Sequence, residues 1–350
     1  MPGEDETTRL DVALVQGFSF ACRPDCGLCC FASPRISPDE QHALRVVAPQ
    51  ATLVGRGRDR YLSARPDGGA CQFLANLRCG VHAQRPAPCR EFPITVHLGE
   101  RLQASVVLSC PGLDLRRLTD SRSAAEGAVG LAVELASVER RIDRAALARR
   151  EEALRRRRRI VRALDAEGLW RSEEEVRAEL RSNLPLPGPG SFPVEDPPST
   201  DDGLETLPLF FDHRPGPVAI AGGLGGWHLL ELASTGGVAR DLGIVPPPTA
   251  PPRLDDEATT LLRGYLDYWL ARDALFGYVL RTLLEGPAGD VVDAVADELS
   301  AIGALTLARA SVRARLAGRP AEPLTERDVA DGIRAVDADL LDRPSWGDRL

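Results

Sequence analysis

Apolar residues recur at Leu131, Leu135, Val138 and Ile142 and, after one slip, at Leu147, Leu154, Val161 and Leu164. Spacings of three and four place them on one stripe, so residues 120–183 are expected to form a helix or helical hairpin with a charged outer face. The same period returns near the C terminus and predicts three more helices. The first carries Leu262, Leu266, Trp269, Phe276, Leu280 and Leu283, and the second Val291, Val295, Leu299 and Ile302. The third has a Thr325 cap with Asp328 three residues later, then Val329, Ile333, Val336 and Leu340. Ahead of these helices, short apolar runs at 207–211, 218–221, 227–233 and 238–245 alternate with turn residues and predict a small antiparallel meander. The glycines at 222, 223, 225 and 226 lead into strand-like Trp227-His228-Leu229-Leu230, which predicts a hairpin turn and not a dinucleotide-binding loop. Near the N terminus, Ser37-Pro38-Asp39-Glu40 is a helix start that turns Leu44 and Val47 inward. Two short strands, 95–98 and 104–108, flank the Gly99-Glu100 turn.

These patterns divide the chain into a cysteine-bearing unit (1–118), an Arg-rich helical segment (119–184), a Pro/Gly-rich linker (185–202) and a C-terminal α+β domain (203–350). The expected class is α+β: a small irregular cysteine-rich metal-binding module, then a mostly α-helical region with a short antiparallel meander. Residues 140–162 hold eleven Arg against Asp143, Glu151 and Glu152. A solvated helix face is the plainer reading, and a surface for a phosphate or an acidic protein partner the sharper one. The net charge of −8 and the lack of aromatics among these arginines argue against nucleic acid. All 43 basic residues are Arg, which excludes a lysine nucleophile or Schiff base.

All eight cysteines lie between Cys22 and Cys110, at Cys22, Cys26, Cys29, Cys30, Cys71, Cys79, Cys89 and Cys110. Four thiols in nine residues are more than packing needs, so such a cluster forms disulfides or holds metal. The first eight residues, with Glu4, Asp5 and Glu6, do not read as a secretory signal, and no apolar run approaches the ~18 residues of a membrane span. A cytoplasmic, reducing setting follows, in which thiols stay free and metal is favoured over S–S bonds. Thiolates suit zinc and iron–sulfur clusters, and eight sulfurs make a pair of four-thiolate sites the simplest count. Arg85 and Arg90 stand next to the second group of cysteines in sequence, where positive charge would offset thiolate. His82 could add a ligand, but a loop histidine with one hydrogen bond is the plainer reading.

Cys26-Gly27-Leu28-Cys29-Cys30, Cys71-Gln72-Phe73-Leu74, and Cys79 followed by Arg85-Pro86-Ala87-Pro88-Cys89-Arg90-Glu91-Phe92-Pro93 together resemble the YkgJ-like cysteine-cluster family. The resemblance covers residues 18–112 and implies chelation of zinc or iron by these cysteines in a cytoplasmic protein. Two departures stand out. Three residues separate Cys22 from Cys26 where many members have two, and Val81-His82 replaces Ile-Tyr. The expected function is a structural or redox-sensing metal-binding module. The alternative is an iron–sulfur enzyme, because Cys22-x-x-x-Cys26-x-x-Cys29 is the spacing of radical S-adenosylmethionine enzymes and a flagellin lysine methylase carries a related cluster. Against that alternative, residues 31–118 predict no run of alternating strands and helices.

Overall fold

The structure is a computed structural model. It describes residues 10–341 apart from 24–25, 32–33, 57–58, 66–67, 120–130, 143, 193–216, 224–225, 236 and 286–288. The cysteine-bearing part opens with strand β1 (Leu10–Asp11) and helix α1 (Pro38–Val47). Three small hairpins follow: β2 (Leu53–Arg56) with β3 (Asp59–Leu62), β4 (Ala64–Arg65) with β5 (Gly68–Cys71), and β6 (Leu74–Ala75) with β7 (Arg78–Cys79). Helix α2 (Ala87–Glu91) leads into β8 (Ile94–Leu98) and β9 (Leu102–Val106). Helices α3 (Ala132–Arg141), α4 (Arg144–Ala166) and α5 (Glu173–Ser182) come next, then a meander of β10 (Val218–Gly223), β11 (Gly226–Leu232) and β12 (Val238–Val245). Helices α6 (Asp256–Ala271), α7 (Asp273–Glu285), α8 (Val291–Leu316) and α9 (Glu326–Leu341) close the chain. The class is α+β, as the patterning predicts.

Helix α1 begins with the expected capping box: Glu40 N–H donates to Ser37 Oγ at 3.3 Å, and Ser37 N–H to Glu40 Oε2 at 2.9 Å. Leu44 is buried, but Val47 is 46% exposed, because the helix packs through a single narrow face. The glycine stretch is a hairpin connection, with Gly222 opposite Trp227 and Gly223 opposite Gly226. A side chain at Gly226 would strike Val245 O at 2.8 Å, so the third strand approaches too closely for a Cβ. The run at 207–211 lies outside the described residues.

The largest core joins the sheet of β1, β9 and β8 to the C-terminal helices. Strand β9 is covered on both faces. Leu102, Ala104 and Val106 pack into apolar surroundings, while Gln103 and Ser105 on the other face are buried among polar partners. Gln103 donates to Ala271 O at 3.1 Å and accepts from Asp273 N–H at 2.9 Å. Ser105 meets His97 Nε2 at 2.9 Å, and burial together with the nearby Arg272 charge pushes that imidazole down to about 3, so it is neutral.

The stripe expected to form one helix from Leu262 to Leu283 is two helices, because Arg272 adopts an extended backbone (φ −77°, ψ 129°) between them. That break turns the Arg272 side chain into the core, where it is 0% exposed. It donates to Asp337 Oδ1 at 2.8 Å and to Val106 O at 2.7 Å, and lies over the rings of Trp269 and Tyr268. Burial opposes its charge, but the Asp337 carboxylate more than compensates and holds it above the ordinary guanidinium range. Elsewhere on α6, a Cβ at Gly264 would lie 2.0 Å from Leu118 O. Gly264→Ala is therefore expected to lower the unfolding free energy by about 1–3 kcal/mol, read from the denaturant midpoint; a neutral result would refute this tight helix–backbone approach.

The Arg-rich helix is α4, and it is only partly a solvated face. Arg155 and Arg156 pair with Glu152 on the outside. Arg150 and Arg157 are buried, and Arg150 donates to Gly99 O at 3.1 Å and Glu100 O at 2.7 Å, clamping the β8–β9 turn. The proline-rich stretch after α5 follows α8: Pro187 leaves no room for a Cβ at Gly303, and Phe192 is buried in the largest core. No helix among the described residues is long and apolar enough to cross a membrane.

Candidate metal centre

Short turns and hairpins place Cys29, Cys30, Cys71 and Cys79, while long-range contacts place Cys22, Cys89 and Cys110. Gly27, at φ +61°, opens the 3-10 turn that carries Cys29 and Cys30, and Cys30 N–H donates to Gly27 O at 2.9 Å. A Cβ on Gly27 would meet Leu74 Cδ1 at 2.8 Å, so this loop rests directly on the β6–β7 hairpin. That hairpin turns through Asn76 (φ 50°) and Leu77 (φ 57°), a pair of left-handed residues matched to the strand twist. It sets Cys79 opposite Leu74, as β4–β5 sets Cys71 opposite Ala64.

Cys89 rides on α2, whose start is held from a distance. Glu40, already bonded to its own helix cap, accepts the Ala87 N–H at 2.5 Å. One carboxylate thus fixes the N termini of α1 and α2 together. Cys22 and Cys110 are brought near by an unusual closeness of two loops. Ala21 N–H donates to Gly112 O at 2.9 Å, Phe20 bridges to Leu113, and a Cβ on Gly112 would lie 2.4 Å from Ala21 O.

Separated stretches thus bring thiols within electrostatic reach of one another, and none of the eight cysteines is in a disulfide. Cys29, Cys30, Cys71, Cys79 and Cys89 line a cavity of about 10 Å³ together with Arg85. Cys22, Cys26 and Cys110 form the neighbouring group, and each interacts electrostatically with Cys29. Cys29 therefore belongs to both groups.

Electrostatics divides the thiols into donors and acceptors. The Cys30 thiol hydrogen bonds to Cys29 and Cys79, which raises its own proton affinity and lowers theirs, Cys79 to about 6. Burial pushes Cys71 up to about 11 and Cys110 up to about 12, and it also raises Cys22, Cys26 and Cys89. Two cations act on the thiols: Arg85 favours the thiolates of Cys22, Cys29, Cys79 and Cys89, and Arg23 that of Cys26. The Arg85 Nε is buried with no hydrogen-bond partner among the described residues.

The other two candidates from the sequence stand apart. Arg90 is exposed and turned to the Arg85 carbonyl, and His82 is exposed and does not line the cavity. Glu134 of α3, which no motif marks, bears on Cys22, and its Oε2 is buried with no hydrogen-bond partner among the described residues. Its neighbour Ser137 donates to the buried Glu91 at 3.3 Å. The signal for Glu134 was an acid three residues after Leu131 and four before Val138, hence on the inward side of the stripe.

By donor chemistry the residues fit a thiophilic metal: soft sulfur, two thiols, Cys29 and Cys79, whose proton affinity is lowered, and an adjacent guanidinium. The thiols nevertheless bond to one another, and among the described residues no three His, Cys, Asp or Glu side chains are grouped as ligands around one point. Metal would have to take the place of the protons that Cys30 shares with Cys29 and Cys79.

No curated protein and no solved structure matches this chain. Residues 21–111 match the family model CxxCxxCC, whose description reads "Putative zinc- or iron-chelating domain". Those residues include all eight cysteines, so the likeness to a family described as chelating zinc or iron lies in the cysteine-bearing part of the chain.

Proposed function

We propose that the eight cysteines bind metal through thiolates, and that the loaded cluster serves as a structural or redox-sensing module. What supports this reading is that five unbridged cysteines from separated turns line one cavity beside Arg85, and that Cys22, Cys26 and Cys110 lie within electrostatic reach of Cys29. Metal affinity in such a segment becomes folding free energy, because turns this short hold little apolar surface of their own. The space among the five sulfurs is about 10 Å³, the room of one atom-sized group. A single zinc or iron ion asks the side chains to turn toward one point, while a polynuclear iron–sulfur cluster requires the walls to part as well.

Elemental analysis of anaerobically purified full-length protein tests the reading. Zinc or iron bound in stoichiometric amount, and lost together with part of the folded signal on chelation, is the expected result. Protein that is metal-free and equally stable with or without added zinc or ferrous iron would refute it. Acid-labile sulfide and cleavage of S-adenosylmethionine by the reduced protein would instead favour the radical-enzyme alternative.

A further inference from the structure

A second site lies on the other side of the β8–β9 turn, where α4, α5 and the start of α7 enclose a cavity of about 210 Å³. Its floor is charge-balanced: Arg177 donates to Glu173 and Asp273, both at 3.0 Å, and Arg101 donates to Asp273 at 2.6 Å. The mouth is not. Arg157, with a side chain only 8% exposed, contacts Glu173, yet its Nε is buried with no hydrogen-bond partner among the described residues. Glu100 stands between Arg157 and Arg158 at 3.9 and 3.6 Å, and its side chain is 41% exposed. Those separations exceed hydrogen-bond length, so Glu100 neutralises the two guanidinium groups without engaging their donors. Two guanidinium forks with unused donors suit an oxyanion that can accept two parallel bonds. Val161 and Trp170 supply apolar wall beside them, and the volume suits a small molecule.

We propose that this cavity binds a small metabolite through one oxyanion, a phosphate or a carboxylate, which displaces Glu100 from between Arg157 and Arg158. The cavity does not include the cysteines, so the proposal stands or falls apart from metal binding.

The test is calorimetric titration of the full chain with inorganic phosphate and, separately, with acetate, at ionic strength held constant with chloride. Saturable one-to-one binding of at least one probe is expected, and which probe binds decides between phosphate and carboxylate. Glu100→Gln removes the competing charge from an exposed side chain and is expected to tighten binding by about three- to tenfold. Arg158→Gln, also at a half-exposed position, is expected to weaken it by a similar factor. Absence of saturation with both probes, or either variant binding as wild type does, overturns the proposal.

Discussion

Asp337→Ala is expected to lower the unfolding free energy by about 3–5 kcal/mol, the cost of stranding a buried charge. Asp337 and Arg272 are both 0% exposed, so the guanidinium left behind has no water to turn to. The carboxylate also accepts the Leu108 N–H at 2.6 Å and bonds Tyr265 Oη at 3.4 Å, so one substitution orphans partners on β9's extension and on α6. Replacing both partners, as Arg272→Met with Asp337→Leu, is expected to restore part of the loss, because it removes the stranded charge while leaving Leu108 N–H, Val106 O and Tyr265 Oη without these partners. Urea unfolding of the two singles and the double closes the cycle. Singles within about 1 kcal/mol of wild type would show that the pair carries no such weight.

The second large effect concerns Cys29. Of the eight thiols it alone interacts with both groups, lining the cavity with Cys71, Cys79 and Cys89 while acting on Cys22, Cys26 and Cys110. Cys29→Ser is expected to strip the protein of most of its metal, since a hydroxyl does not ionise at neutral pH. Cys22→Ser, at an exposed position in the outer group, is expected to leave the five-sulfur cavity loaded. Metal per chain, measured side by side for the two variants, separates the cases. Equal loss in both would contradict the assignment of Cys29 as the shared thiol.

Sequence periodicity reads what is local and repeats. It found the strands around Gly99, the three described strands of the meander, and the stripes of α3, α4, α8 and α9, since each has its own apolar period. It missed the break at Arg272, because Trp269 and Phe276 stay in step across it and nothing local marks an arginine destined for burial. It set Val47 inward from spacing alone, where packing selected only Leu44. For the site, cysteine spacing marked the candidate thiols, and the sequence neighbourhood of Cys89 marked Arg85, whose charge acts on four of them. What spacing could not give was the grouping. Cys22 meets Cys110 through a backbone crossing at Gly112, and Cys89 is positioned by Glu40, which belongs to a different helix. Glu100 and Arg157 meet for the same reason, through a tertiary approach between a turn and a helix.

Strand β9 and the residues flanking it are answered by residues synthesised long after them: Val106 N–H by Tyr268, Arg101 by Asp273, Leu108 N–H by Asp337. On a ribosome the cysteines emerge first, but the strand leading to Cys110 stays without these partners until the last helix is out. The place of Cys110 in the fold thus waits on Asp337, which is made long after the cysteines themselves.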